Sequence, residues 1–340
     1  NFGSLFIVCH FNMSHANNQL NTKNIYSNDI LQEINSSDIN ELKSNLRGSQ
    51  CIVACCFIDN FMRWLSLPFY KFDEDEYWSD AAEVKIYCPE GNINYGIIVS
   101  TAEYKDGRLF VMLYCADERN YFVMKDVLMV TRVLNWTRSL TFEGVQEGFI
   151  SMLEDVISLK HTSVMCKYEK KLLVMPKTSA LQVKLECPPP DIFIGRLELK
   201  RTHIKLVNEN WDEKTEHSKF LVETLIRNNR GAAIYSRNDS KLPICWALQQ
   251  HYGGIGMVNS TQSSKTYGNK ECLQLLLKFM IRYYTIDENV AFTCLSKEHV
   301  HLINEFVEAG FRYVSNLFWI TTRGVTGYKY ISYFQKAQIN

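Results

Sequence analysis

Two lysines bracket a short polar loop, Lys265-Thr266-Tyr267-Gly268-Asn269-Lys270, between an alternating apolar run at 255–261 and an amphipathic run at 270–284. A strand that turns through a polar, glycine-containing loop into a helix leaves several backbone N–H groups unpaired, and the helix dipole adds partial positive charge at that point. The chemistry open to such a join is the binding of a pyrophosphate-type anion, with Lys265 and Lys270 supplying mobile positive charge at either end. The loop is neither a G-x-x-x-x-G-K-[ST] phosphate loop nor a G-x-G-x-x-G dinucleotide fingerprint. His251 is the titratable group nearest the strand, beside Gly253-Gly254, and an imidazole suits proton abstraction near neutral pH. The run 255–261 holds no carboxylate. Glu209, Glu216 and His217 flank the junction of two helical segments, and His299 and His301 fall on the polar face of a later one. The eleven cysteines form no C-x-x-C and no Cys/His pair at zinc spacing, so no metal is expected. Cys51, Cys55 and Cys56 lie at helical spacing and read as small apolar core residues of a reducing compartment.

These residues need a scaffold, and hydrophobic periodicity outlines it. In 270–284, Cys272, Leu275, Leu276, Phe279, Met280 and Tyr283 fall on one helical face, with Lys270, Gln274, Lys278 and Arg282 opposite. A strand at 290–295, an N-cap at Ser296, a helix at 298–309 and an aromatic strand at 311–320 follow. That last strand is expected to end as a covered edge or a contact with another chain. Upstream lie a strand at 192–199, helices at 202–210 and 217–228, and a hairpin of 232–237 with 243–249 around Asn238-Asp239-Ser240. The first half reads as a helix at 30–46, strands at 84–88, 95–102 and 109–115 with an Asp106-Gly107 turn, a helix at 142–159 and a short strand at 172–175. The acidic run at 73–76 reads as a solvated loop.

Pro188-Pro189-Pro190 is the sharpest punctuation in the chain, because proline cannot extend a ladder and stiffens the backbone. A chain of 340 residues suits two domains. The division expected is a loose segment 1–26, an α/β domain 27–186, a linker 187–191, a second domain 192–323 and a tail 324–340. Lys plus Arg and Asp plus Glu both number 37, and 46% of residues are hydrophobic. A wholly disordered chain is excluded, and a surface that coats nucleic acid is not expected. With no run of about 18 apolar residues, no secretory leader and no Arg-rich transit segment, the expected place is the cytoplasm, away from a membrane.

Leu206-Val207-Asn208 with Trp211, then Pro243-Ile244-Cys245-Trp246, then the loop at 265–270, together with Leu134-Asn135-Trp136 and the stretch 171–175, carry a resemblance. The chain resembles the glycine N-acyltransferase-like family of the GNAT acyl-CoA N-acyltransferase superfamily over roughly residues 84–322. The resemblance implies an α/β (α+β) fold, with a mixed central sheet flanked by helices in the C-terminal half and a degenerate GNAT-like partner domain before it. It implies an acyl-CoA donor and an amino acid or small amine as acceptor, with direct transfer between them. The central strands would splay after the fourth, the pantetheine arm would run along Asn259, Ser260 and Thr261, and the pyrophosphate would meet Lys265, Thr266, Tyr267, Gly268, Asn269 and Lys270. The family's basic glutamate falls on or next to Gly254 here, which leaves His251 as the candidate catalytic base. The family's acidic tyrosine falls at Phe306 or Val307. A catalytically degenerate protein that binds CoA esters or a protein partner without turnover is the alternative.

Overall fold

The computed structural model describes residues 29–46, 52–66, 83–104, 107–214, 218–239, 241–261, 269–284 and 290–324. The proposed loose N-terminus and C-terminal tail, the acidic run, Cys51 and the loop residues Lys265, Thr266, Tyr267 and Gly268 lie outside them.

The first half runs β1 (Leu31–Glu33), α1 (Ser36–Leu46), α2 (Ile52–Ser66), β2 (Glu83–Pro89), β3 (Ile97–Glu103), β4 (Leu109–Cys115), α3 (Tyr121–Val130), β5 (Leu140–Gln146), α4 (Ile150–Leu159), β6 (Ser163–Pro176) and the single turn α5 (Lys177–Ala180). The second half runs β7 (Ile192–Arg196), α6 (Arg201–Glu209), α7 (Ser218–Asn228), β8 (Gly231–Ser236), β9 (Pro243–Gln249), β10 (Ile255–Ser260), α8 (Asn269–Tyr284), β11 (Val290–Ser296), α9 (Val300–Glu308) and β12 (Arg312–Arg323).

Three expectations need correction. The start of the 30–46 segment is a strand, β1, paired antiparallel with β2, and the helix begins only at Ser36. The 142–159 helix is a strand followed by a helix. Leu140 and Phe142 share the face packed with α3 and α4, as the two-residue period of a strand requires, and Val145 returns to that face after an irregularity at Gly144, whose φ is +66°. The aromatic strand near the C-terminus is no edge: β12 lies between β5 and β6.

That last placement interlocks the halves. One sheet has the order β1-β2-β3-β4-β5-β12-β6-β11, and the other β10-β9-β8-β7. The final strand of each half pairs with the other half: β6 with β11, and β12 with β5. The triple proline stands between α5 and β7, but the ladder crosses it. Within the first half β4 and β5 are parallel and pair only from Leu109↔Leu140 to Met112↔Glu143, parting beyond.

Three apolar layers result. α3 and α4 cover one face of the large sheet. α1, α2, α6, α7 and the inner faces of both sheets share one continuous core, which includes Phe61, Tyr114, Leu225, Trp246, Phe292 and Trp319. α8 and α9 cover the outer face of the second half. Burial pushes the thiols of Cys88 and Cys294 up to about 12, and that of Cys245 also upward. At pH 8 their thiolate fraction is about 10⁻⁴, and the thiolate is the reactive form. Iodoacetamide at pH 8 is therefore expected to alkylate the exposed Cys187 in the folded protein and to spare these three until denaturant is added; peptide mapping checks this.

Candidate functional site

The turn between β9 and β10 sets where the candidate site begins. Gly253 has φ +95°, a left-handed conformation that favours glycine. A Cβ there would come within 2.8 Å of the Cys56 carbonyl oxygen on α2. At Gly254 a Cβ would stand 2.9 Å from the ring of Phe292 on β11. Position 254 thus has no room for a side chain unless both Phe292 and Tyr252 shift.

The first half grips this turn. Asn60 Nδ2 on α2 donates to the His251 carbonyl at 2.8 Å. Asn229 Nδ2 donates to the carbonyls of Gln249 and Gln250, both at 2.9 Å. Arg63 bonds both Gln249 Oε1 at 2.7 Å and Asn229 Oδ1 at 3.2 Å. Carbonyls removed from water inside a turn need such partners. In this way the partner domain holds the entry to β10 in place.

His251 lies inside this grip rather than on an exposed turn. The residue is 5% exposed, and its Nε2 bonds the carboxylate of Glu143 on β5. Tyr104, Phe110 and Tyr252 surround the ring, with centroids 6.1, 5.1 and 5.3 Å away. Among the described residues its Nδ1 has no hydrogen-bond partner. The imidazole borders a cavity of about 10 Å³, walled also by Asn60, Trp64 and Tyr104, which is room for about one water. Burial and the Glu143 contact leave the ring closed to a small molecule unless the turn opens.

β10 carries the backbone features. It pairs with β9 at Ile255↔Gln249 and Gly256↔Leu248, and resumes at Asn259↔Trp246 and Ser260↔Cys245. Met257 and Val258 fall outside that register, in a β-bulge with Met257 at φ +45°. A bulge takes backbone groups out of the ladder and re-aims them. β10 and β11 belong to different sheets, meeting at Gly254 and Phe292 with no ladder beyond. The ends of β10 and β11 at Ser260 and Ser296 lie on one side, because a single short segment reaches both Asn259 and His299. Asn259, Ser260 and Thr261 are half-buried at that end of the gap.

The helix after the loop starts at Asn269. Lys270 is largely exposed, and its ammonium lies 2.9 Å from Glu308 and 4.0 Å from Glu305 on α9. A phosphate would have to compete with these two carboxylates. Glu305 is buried and also accepts from Gln274 Nε2 at 2.6 Å. Phe306 is buried and Val307 exposed, and neither has an exchangeable side-chain proton.

A strap between α6 and α7, the junction that Glu209, Glu216 and His217 flank in the sequence, crosses that end of the gap. The Asn210 carbonyl accepts from Asn259 Nδ2 at 2.7 Å. Asp212 Oδ2 lies 2.9 Å from Nε2 of His299, just beyond β11. Glu213 pairs with Lys170 on β6. Lys170 is 5% exposed, with its ammonium 4.4 Å from the centroid of the Trp319 ring. Lys170 pulls the Cys294 thiol down while Glu143 and Glu213 push it up, all three more weakly than burial does, so these groups flank one thiol. Glu209 sits apart, exposed beside Lys205, and Glu216 and His217 lie outside the described residues.

No family model matches the sequence, and no curated protein matches it. Solved structures do match in shape. A Drosophila protein solved by a structural-genomics consortium superposes with a TM-score of 0.75 at 18% identity, over 87% of this chain and 99% of its own. A tandem GNAT protein from the clavulanic acid biosynthesis pathway superposes with a TM-score of 0.51 at 10% identity, over 88% of this chain and 99% of its own. The chain has the tandem GNAT fold. Among the described residues no helix is long and apolar enough to cross a membrane, and no group of three His, Cys, Asp or Glu side chains could hold a metal ion.

Proposed function

We propose that the chain is an acyl-CoA-dependent N-acyltransferase of the glycine N-acyltransferase-like kind, moving an acyl group from a CoA thioester to the amino group of an amino acid or small amine. The observation that carries this reading is β10, bulged at Met257–Val258 and parted from β11, running into a polar loop and a helix N-terminus. The side of β10 that faces β11 near Asn259, Ser260 and Thr261 suits a pantetheine amide chain. The amides of 265–269 and the α8 dipole suit a pyrophosphate, with Lys265 supplying charge and Lys270 doing so only after release from Glu308.

Transfer then needs few protein groups. The acceptor amine loses a proton and its nitrogen attacks the thioester carbonyl. The oxyanion that forms accepts a bond from an amide of the bulge. The C–S bond breaks, and the leaving thiolate takes a proton from water or a nearby acid, giving an amide and free CoA. His251, with Glu143 orienting its ring, is the base that the sequence offers. Its burial favours instead a role in holding the turn, with water taking the amine proton.

Titration of the full chain with acetyl- and benzoyl-CoA by calorimetry, followed by assay of CoA release with amino acids and arylalkylamines, tests the proposal. Saturable binding and release above background are the expected result; no binding of any CoA ester would overturn it. The specific observation behind the second reading, a CoA-ester or protein-partner binder without turnover, is the enclosed His251 next to a Gly254 that has no space for a carboxylate. Binding without release for every amine would favour that reading.

A further inference from the structure

Lys170 is an ammonium held almost wholly out of water on β6, a strand that pairs with β11 so that Lys170 stands opposite Ser296 at the Ser260 end of the β10–β11 gap. A buried ammonium needs a counter-charge. Its partner, Glu213, belongs neither to the sheet nor to a helix but to the strap between α6 and α7, and that side chain is 42% exposed. The strap touches both rims of the gap, through Asn210 to Asn259 on β10 and through Asp212 to His299 beyond β11. The ring of Trp319 forms a wall beside the ammonium, and Tyr252 stands against that ring with centroids 5.8 Å apart. The corner therefore combines a buried cation, an aromatic wall and a half-exposed carboxylate from a loop segment.

We infer that Lys170 and Trp319 form a carboxylate subsite for the acceptor, and that Glu213 fills it until an amino acid displaces the strap. This rests on the N-acyltransferase reading and narrows it, choosing amino acids over plain amines. The chemistry follows from the corner itself. An α-carboxylate that replaces Glu213 keeps the Lys170 charge compensated, whereas an amine without a carboxylate leaves Glu213 in place and gains nothing from Lys170. The α-amino group, two bonds from that carboxylate carbon, is then free to face the thioester across the gap. Glu213 would leave toward solvent, where its charge is hydrated at little cost.

Matched acceptors test this: phenylalanine against phenethylamine, and alanine against ethylamine, each with the full chain and benzoyl- or acetyl-CoA. Lys170→Met, which keeps an unbranched side chain of similar length, is expected to raise KM for the amino acids by roughly 10- to 100-fold, the loss of a charge-assisted bond. The amines should change less than about twofold. Glu213→Ala should lower KM for the amino acids several-fold and leave the amines alone. Equal changes for both members of each pair would mean a merely structural ion pair and would overturn the inference. If no acceptor turns over, the transferase reading fails on its own. Thermal-shift binding then decides the subsite: stabilisation by phenylalanine but not phenethylamine, lost in Lys170→Met, supports it, and no stabilisation overturns it.

Discussion

Replacing His251 by leucine is expected to destabilise the folded chain by about 3–5 kcal/mol, the usual cost of stranding one partner of a buried pair. His251 and Glu143 come from different halves, lie 108 positions apart in sequence and are 5% and 4% exposed. Each is the other's side-chain partner within an aromatic enclosure. Leucine fills much of the same volume, so the loss would come from the carboxylate left without a donor rather than from a void. Urea unfolding followed by tryptophan fluorescence measures it. The double variant Glu143→Leu/His251→Leu should recover most of the loss, since two apolar groups of similar shape replace a pair that each single change breaks. A single-variant loss below about 1 kcal/mol, or a double variant no better than the single one, would show that the pair does not hold the halves together.

Val258→Pro is expected to lower kcat for CoA release by about 10²–10³, the effect of removing one oxyanion donor. Val258 lies with Met257 in the stretch of β10 that has no place in the ladder with β9. Proline there deletes the Val258 amide hydrogen. Side chains offer little else: β10 has no carboxylate, and Phe306 and Val307 have no transferable proton. If the bulge amide polarises the thioester, its loss falls on the chemical step, and affinity for the acyl-CoA changes far less. An unchanged kcat in a variant that melts with the parent would remove the bulge from the mechanism.

Long periodic elements were legible. α8 begins one residue before its expected start, and β2, β4, β8 and β9 appear close to the expected bounds, because each buries one face or both at a constant period. Segments with two environments were not. β6 is buried mainly over its last part, and its largely exposed start, Ser163–Glu169, is a strand because β12 pairs along it. β5 looked helical because Val145 and Phe149 happen to stand four apart, while its parallel pairing with β4 is a long-range fact that no local window contains. Ser296 was expected to cap the last helix. α9 instead starts at Val300 after His299, with Ser296 Oγ accepting only from Glu298 N at 3.4 Å.

The site divides along the same line. The linear order of strand, polar loop and amphipathic helix was readable because its parts adjoin in sequence, and with it came the expectation of an anion at 265–270 and a pantetheine edge at 259–261. His251 was readable as a titratable group beside that strand, but not as one enclosed against Glu143. Lys170, Glu213 and Trp319 were not readable as a group at all. Their sequence neighbourhoods carry ordinary charge and ordinary strand pattern, and only the exchange of β6 and β12 between the halves brings them together. What the sequence by itself determined is which local segments fold and which backbone join can face an anion, since propensity, period and helix dipole act over a few residues. The tertiary structure alone decided which charges are buried, which carboxylate meets which cation, and that the first half holds the turn on which β10 depends, because burial and pairing are set by segments that approach each other only after the two sheets interlock.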